Sequence, residues 1–322
     1  MRKFQRPKIV VSKCLEFEPC RYDGAKIKSS AVSKLKESAE LIPVCPEVEI
    51  GLPTPRDAIR LVDHEGEDRL VLPAENKDLT ESMNEFSTAF LSRMSGVDGF
   101  ILKGRSPSCG IFDTKVYTGS EKSPVKRKSS GLFAKKVKEF FPEAVIEDDG
   151  RLRNFSIREH FLTGVYTMAD FRHAREEGTS ASLVRFHTDH KFLFMSFSPS
   201  LTKEAGNIVA NPKGATPEER FNAYAGVLSQ ILKYRQRETG NISVCEHLLG
   251  YFKNSLTAPE KEHFLTLLSY YRDHKVPLSS VLSIVRSWVF RFEQNYLFNQ
   301  SFFEPYPADL LEITDSGKGR NY

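Results

Sequence analysis

The sequence predicts an α/β N-terminal domain with a mainly parallel sheet, followed by an all-α C-terminal domain. In the first half, short apolar runs typical of buried strands alternate with segments of helical spacing, which is the pattern of a parallel sheet covered by helices. From about Phe155 onward, only helical spacing remains. A chain of 322 residues suffices for two domains of ordinary size. We predict that these domains comprise residues 1–170 and 171–322.

Three short apolar runs predict the central strands of the parallel sheet. They are Ile9–Val11, Leu41–Val44 and Gly99–Lys103. A helix is predicted over Ser29–Glu40, where Leu35 and Ala39 are four residues apart, and a hairpin over Arg60–Leu72, around a polar tip.

The rest of the first half continues the alternation. Asp78–Glu81 has the pattern of a capping box and predicts the start of a helix that ends at Gly96. A further helix is predicted over Leu132–Phe141, where Pro142 stops it, and a strand over Ala144–Ile146.

The second half contains five segments of helical spacing. The predicted helices are Leu183–Phe197, Pro217–Thr239, Val244–Ser255, Pro259–His274 and Leu278–Phe303. Glu238–Asn241 contains a glycine and predicts a break between two of them.

Composition excludes several classes of protein. The 46 Lys and Arg exceed the 42 Asp and Glu by only four, which does not by itself indicate a nucleic-acid partner. No apolar run approaches the ~18 residues of a membrane span, so no membrane partner is expected. The basic N-terminus lacks the apolar core of a signal peptide, and we expect a cytoplasmic protein. Five cysteines are too few for a disulfide scaffold.

The placement of the cysteines is more informative than their number. Cys14, Cys45 and Cys109 each follow one of the three predicted central strands. Ligands gather at the carboxyl ends of parallel strands, where the loops meet. The spacing matches no compact zinc motif, but three converging thiolates suit an iron–sulfur cluster with one iron free of protein ligands. Buried structural thiols or a catalytic thiol fit the same spacing.

The residues around these cysteines resemble the thiouracil desulfidase family. The resemblance lies in Ser12–Leu15, Cys20–Gly24, Cys45–Glu47, Gly51–Arg56 and Ser106–Gly110. In addition, Phe186–Lys191 is similar to the signature of a helical domain that is fused to longer members. Those members resemble desulfidases of 4-thiouridine in tRNA.

The resemblance implies a 4Fe-4S cluster held by Cys14, Cys45 and Cys109. Cys20 stands in a position that varies in the family and is not included in the ligand set. The implied reaction is hydrolytic and non-redox: an iron with an open coordination position polarises the carbon–sulfur bond, and oxygen arrives from water.

Two residues are candidates for the proton chemistry of this reaction. A carboxylate must activate the water, and Glu47, two residues after a predicted ligand, is in a suitable position. Ser106 is predicted to hydrogen-bond the substrate or relay the proton, although a Ser-Pro turn explains it nearly as well. Asp23 and Arg56 either shape the pocket or form a salt bridge between loops.

A basic run predicts contacts with RNA phosphates. Lys126, Arg127 and Lys128 lie in the segment Lys122–Lys138, shortly after the Cys109 loop. A solvated basic face is the alternative explanation of this run. His187 and His190 are three residues apart but have no evident third ligand, which favours packing or RNA contact over metal binding.

The sequence therefore predicts a desulfidase of 4-thiouridine in tRNA. The same chemistry on free thiouracil or on a thionucleoside is the nearest alternative. A redox sensor that binds nucleic acid through a cluster or a thiol is an alternative from another class. Glu47 discriminates between an enzyme and a sensor, because a sensor has no use for a carboxylate beside a cluster ligand.

Overall fold

A computed structural model describes residues 2–210 and 214–311 of the chain. The end of the second predicted domain, from residue 312, lies outside the described residues. The strands are β1 Lys8–Ser12, β2 Glu40–Val44, β3 Arg60–His64, β4 Glu67–Leu72, β5 Lys77–Asp78, β6 Gly99–Leu102, β7 Thr114–Tyr117, β8 Val125–Ser129 and β9 Val145–Asp148. The helices are α1 Ser30–Ser38, α2 Pro46–Glu49, α3 Thr80–Ser92, α4 Leu132–Phe140, α5 Phe155–Glu177, α6 Ser180–Phe197, α7 Pro199–Ala210, α8 Pro217–Lys233, α9 Glu238–Tyr251, α10 Ala258–Arg272 and α11 Leu278–Arg291.

Four strands form a parallel sheet in the order β2-β1-β6-β9. Its central strand β1 is completely buried over Ile9–Val11, since the sheet is covered on both faces. The carboxyl ends of β2, β1 and β6 consequently lie side by side at one edge. This sheet and the helices α5–α11 confirm the predicted fold class.

Five further strands form a second, mixed sheet in the order β5-β4-β3-β7-β8. The predicted hairpin of β3 and β4 is confirmed, and β7 joins it in parallel to β3. In the antiparallel pair of β7 and β8, Lys115 lies directly opposite Lys128. The sequence analysis did not predict β7 and β8, because both are short and carry lysines in place of an apolar run.

The core of this region joins the two sheets to α3 and α4. Leu61 and Leu70 of the second sheet and Phe100 of the parallel sheet pack in one buried cluster with Met83 and Phe133 of the two helices. Because both sheets share this core, the loops of both have a fixed position relative to the carboxyl ends of β1, β2 and β6.

Two predictions about helix ends are wrong. Asp78 is not a helix cap, because its backbone is extended in β5 and its side chain pairs with Arg69. Its side chain also accepts a hydrogen bond from the Thr80 N–H, 2.8 Å away, at the first residue of α3. The break predicted around Gly240 lies inside α9. A Cβ at Gly240 would be 2.3 Å from the Ser196 carbonyl oxygen, so the glycine serves close packing of α9 against α6.

The helical boundaries also differ from the prediction in length. The segments predicted over Pro217–Thr239 and Leu278–Phe303 end earlier, at Lys233 and Arg291, and α5 and α7 were not separately predicted. After Arg291, Glu293 adopts a left-handed backbone conformation with a φ of 50°, so α11 ends although the helical spacing of the sequence continues.

The chain divides into two units by its internal contacts. One is built on Arg6–Ala169, and the other combines Asp170–Ala308 with the N-terminal residues through Gln5. In the helical unit, the Arg2 guanidinium donates to Asp170 and lies 2.9 Å from His190 Nε2. Burial opposes ionisation of Asp170, but the contacts with His190 and Arg2 hold the pKa of its carboxyl below the usual range.

The two histidines of the segment Phe186–Lys191 have separate partners in the helical unit. His187 Nδ1 lies 2.9 Å from the Tyr224 hydroxyl, and His190 Nδ1 lies 2.9 Å from the Phe186 carbonyl oxygen. Burial lowers the pKa of His187 to about 4, so that ring is neutral near pH 7. Both rings therefore take part in helix packing.

Candidate active site

The three predicted cysteine ligands lie on one cavity at the carboxyl edge of the parallel sheet. Cys14 follows β1, Cys45 follows β2 directly, and Cys109 lies in the loop after β6. All three side chains are buried and line a cavity of about 690 Å³. A volume of this size is typical of small-molecule sites, which range over roughly 300–1,000 Å³.

The local sequence explains how two of these positions are built. Cys45 is the N-cap of α2, and Pro46 occupies the first helical turn, where its missing N–H costs no hydrogen bond. The turn from β2 into α2 therefore carries Glu47 to the cavity beside Cys45. In the other loop, a Cβ at Gly110 would lie 2.2 Å from Thr114 Oγ1, so only glycine allows the chain to close tightly after Cys109.

The surroundings of the thiols favour their protonated form. Burial raises the pKa of Cys109 to about 12, more than the contact with the Ser12 hydroxyl lowers it. A contact with Cys20, together with burial, raises the pKa of Cys45 well above its usual range. Buried thiols of this kind ionise only when a cation that binds sulfur replaces the proton. The donor set therefore fits an iron centre.

A fourth thiol, that of Cys20, lines the same cavity. Its pKa is raised to about 11, chiefly by contact with Cys14, and the Cys45 thiol donates to the Cys20 carbonyl oxygen over 3.8 Å. The sequence analysis excluded Cys20 from the ligand set, and the structure places it beside two members of that set.

The Glu47 carboxylate is hydrogen-bonded through both of its oxygens. Arg56 Nε donates to Oε2 over 3.2 Å, and the Ser106 hydroxyl donates to Oε1, also over 3.2 Å. The Ser108 hydroxyl donates to the same Oε1. Because Glu47 and Arg56 have only 13% and 3% of their side chains exposed, the carboxylate is fixed in position.

Ser106 and Arg56 each connect this carboxylate to a cysteine loop. Ser106 Oγ accepts the Cys109 backbone N–H over 3.2 Å, and Arg56 Nη2 donates to the Cys20 carbonyl oxygen, also over 3.2 Å. Arg56 does not pair with Asp23, whose partner is Arg21. The suggested salt bridge between loops thus exists, but its acidic member is Glu47.

Sequence reasoning missed Ser108, which is fully buried and contacts Glu47 directly. The available signal was a second hydroxyl two residues after Ser106, close to a predicted cysteine ligand.

The three predicted RNA-binding residues have different surroundings. Lys126 pairs with Asp63 at 2.6 Å, and Arg127 pairs with both Asp63 and Asp68. Lys128 lines the cavity that holds the cysteines. The basic run is therefore divided between ion pairs on the second sheet and the wall of the cavity.

Within residues 2–210 and 214–311, no three His, Cys, Asp or Glu side chains are arranged to hold a single metal ion. In a cluster, by contrast, each thiolate binds a different iron, and the thiolates need not surround one point. None of the described helices is both long enough and apolar enough to span a membrane.

Comparison with known proteins identifies the region that contains this cavity. The family described as 2-thiouracil desulfurase matches residues 9–149. The uncharacterized protein YbbK of Bacillus subtilis (strain 168) is 32% identical over 137 residues, which cover 38% of this chain and 91% of YbbK. The chain belongs to the 2-thiouracil desulfurase family. The four cysteines that line the cavity lie within this matched region, and so do Glu47, Ser106 and Ser108.

Two further similarities were found. A family described as a protein of unknown function (DUF1722) matches residues 191–307, which lie in the helical part of the chain. The solved structure of the 4Fe-4S-dependent thiouracil desulfidase TudS is 27% identical to this chain, with a TM-score of 0.36. The similarity covers 46% of this chain and 93% of that chain.

The buried pair of Glu47 and Arg56 yields a prediction about stability. Arg56→Met removes the cation and leaves a buried carboxylate unpaired, so the free energy of unfolding should fall by about 3–5 kcal/mol. Denaturant unfolding measures this change. As a control, Arg105→Met removes a side chain that is 88% exposed and 3.5 Å from Asp113, and it should cost about 1 kcal/mol or less. Equal losses in both variants would contradict the assigned role of the Glu47–Arg56 pair.

Proposed function

We propose that this protein is an iron–sulfur-dependent desulfidase that replaces the sulfur of 4-thiouridine in tRNA with oxygen from water. The observation that carries the proposal is the cavity itself. Three buried thiols from separate loops line it together with a fixed carboxylate, in a chain of the 2-thiouracil desulfurase family.

Cys14, Cys45 and Cys109 would hold a 4Fe-4S cluster through three of its irons. When bound, the cluster supplies a Lewis-acidic iron with an open position, which takes a soft thiocarbonyl sulfur and polarises the carbon–sulfur bond. The chain supplies the buried thiols: contact with Cys20 together with burial raises the pKa of Cys45, and burial raises the pKa of Cys109.

In this proposal, Glu47 accepts a proton from the attacking water. The overall change is a thiocarbonyl and water giving a carbonyl and hydrogen sulfide, so atoms balance and no electron is transferred. One proton leaves the water as its oxygen bonds to carbon, and the departing sulfur takes up protons. Ser106 and Ser108 donate to Oε1 of Glu47 and can pass a proton along this short chain of hydroxyls.

The arrangement around Glu47 favours an enzyme over a redox sensor. Arg56, Ser106 and Ser108 all orient one carboxylate at the wall of the thiol cavity. A sensor needs only the thiols or the cluster, whereas a hydrolytic reaction needs a positioned base.

The proposal is tested by anaerobic incubation of cluster-reconstituted protein with two substrates, tRNA that contains 4-thiouridine and free 4-thiouracil. Loss of the thiocarbonyl absorbance reports the reaction. Conversion of the tRNA supports the proposal, and conversion of the free base alone assigns the activity to thiobases. No conversion of either substrate would contradict a desulfidase.

The first prediction concerns the cluster ligands. Anaerobically purified protein should contain about four irons per chain. Cys14→Ala, Cys45→Ala and Cys109→Ala should each lose the cluster, as measured by iron content and visible absorbance. Cys245→Ala is the control at a buried thiol of α9, and Cys20→Ala is the matched control within the same cavity. Both controls should keep their iron; full iron content in all three ligand variants would refute the assignment.

The second prediction concerns the proton acceptor. Glu47→Gln keeps the size of the side chain but removes its charge, so the rate should fall on the order of 10²–10⁴-fold, as is usual for the loss of a general base. The cluster should remain, which iron content checks. A rate close to that of the wild type would exclude a catalytic role for Glu47.

The third prediction concerns tRNA. Each phosphate neutralised by a cation releases counterions, so tRNA affinity should fall as salt rises. Replacing Lys126, Arg127 and Lys128 together by alanine should flatten the salt slope by up to about three units, roughly one per lost contact. Lys128→Ala alone, which leaves Asp63 and Asp68 paired, should flatten it by about one unit. A slope unchanged in both variants would exclude these residues from tRNA binding.

A further inference from the structure

The thiol of Cys20 has no role in the reaction proposed above, although it lies in the cavity where that reaction would occur. Cys20 is 5% exposed and lines the cavity together with Cys14, Cys45 and Cys109. Its thiol contacts the thiols of both Cys14 and Cys45. The cavity therefore holds one sulfur donor more than the three that were assigned to the cluster.

The loop between Cys14 and Cys20 brings these two thiols together. The Glu18 N–H donates to the Lys13 carbonyl oxygen over 3.0 Å, so the chain turns back soon after β1. Glu16, inside this turn, adopts a left-handed backbone with a φ of 69°, which residues other than glycine adopt infrequently. The Cys20 N–H then donates to the Glu18 carbonyl oxygen over 2.9 Å. Backbone hydrogen bonds thus fix the return of the loop to the cavity.

Side chains fix Cys20 to the second cysteine loop. Its carbonyl oxygen accepts the Cys45 thiol over 3.8 Å and Arg56 Nη2 over 3.2 Å. The Arg56 side chain is only 3% exposed and is itself paired with Glu47. Cys20 is consequently held between the loops of two predicted cluster ligands, and its position does not depend on a bound metal.

A fourth thiol in this position has a chemical use. Three cysteines bind three irons of a 4Fe-4S cluster, and the remaining iron then has only solvent or substrate as its outer ligand. Thiolate is a softer donor than water and suits iron–sulfur clusters, so a thiol within reach competes with water for that iron. Access of solvent to a metal centre is one of the properties that the surrounding protein controls.

We propose that Cys20 is a displaceable fourth ligand of the cluster, which binds the remaining iron while no substrate is present and leaves it when a thiocarbonyl sulfur arrives. The inference rests on the proposed desulfidase function and adds a residue that controls access to its reactive iron. It agrees with the expectation that Cys20→Ala keeps its iron, because the other three thiolates still hold the cluster.

The exchange of ligands transfers no electrons. In the resting protein, Cys20 has lost its proton to solvent, and its sulfur shares an electron pair with the iron. When substrate binds, the bond between iron and Cys20 breaks, the thiolate keeps the pair and takes up a proton, and the thiocarbonyl sulfur bonds to the same iron. Departure of the sulfide reverses the exchange, so water reaches the iron only during turnover.

The ligand is tested without substrate, by electron–nuclear double resonance on the dithionite-reduced cluster in water enriched in oxygen-17. Wild-type protein should show no oxygen-17 coupling, whereas Cys20→Ala should show it, because water takes the vacant position. Cys20→Val should behave like Cys20→Ala, since valine fills the space of the thiol but cannot bind iron. Cys245→Ala, at a buried thiol of α9, is the control and should resemble the wild type.

Displacement is tested with sodium sulfide as the probe, by the change in the visible spectrum of the cluster. A competing ligand reduces the apparent affinity for the probe in proportion to the fraction of sites left open. Occupancy of about nine clusters in ten by Cys20 corresponds to roughly tenfold more sulfide for the wild type than for Cys20→Ala or Cys20→Val.

The results separate this inference from the proposed function. Oxygen-17 coupling in the wild type, wild-type behaviour of Cys20→Val, or equal sulfide affinity in wild type and variants would each overturn the role of Cys20 and leave the desulfidase proposal standing. A wild-type cluster that binds no sulfide would show that the ligand is not displaceable. If the wild type converts neither tRNA nor 4-thiouracil, the desulfidase proposal fails, and the resonance result still decides whether Cys20 binds the iron.

Discussion

The parallel pairing of β1 with β2 and β6 is the constraint on which the candidate site depends. Hydrogen bonds to both neighbours fix β1 in the interior of the sheet, and its carboxyl end therefore lies between theirs. The chain departs toward the same edge after each strand, which brings Cys14, Cys45 and Cys109 to one cavity although up to 95 residues separate them along the chain. A slip in any of these strands would displace a thiol from the other two.

A second constraint is electrostatic. The Glu47 carboxylate lies beside buried thiols, where an unpaired negative charge would be costly, and Arg56 compensates it. The same guanidinium donates to carbonyl oxygens of the Cys20 and Pro53 loops, so that charge compensation and loop order depend on one side chain. The site thus combines soft sulfur donors, a fixed carboxylate and a basic wall within a single cavity.

The strands that position the site could be predicted because they are aliphatic and buried. The apolar runs Ile9–Val11 and Gly99–Lys103 correctly predicted β1 and β6. The predicted ends of these strands then located Cys14 and Cys109. Strand β8 of the second sheet was missed because Val125–Ser129 contains three basic residues, and its pairing with β7 is a tertiary contact. The partner of Arg56 could not be inferred either, since sequence does not show which carboxylate a loop brings within reach. The closeness of Lys115 and Lys128 likewise depends on strand register, which only the folded chain reveals.

The central claim is that the thiol cavity, once it holds a cluster, carries out a hydrolytic exchange of sulfur for oxygen. Its most direct test is an anaerobic reaction of cluster-loaded protein with excess tRNA that contains 4-thiouridine, in water enriched in oxygen-18 and without added reductant. Our account predicts repeated turnovers, with one sulfide released per uridine formed and the heavy oxygen in the product. A reaction that stops after one equivalent, requires a reductant or leaves the product without oxygen-18 would contradict it.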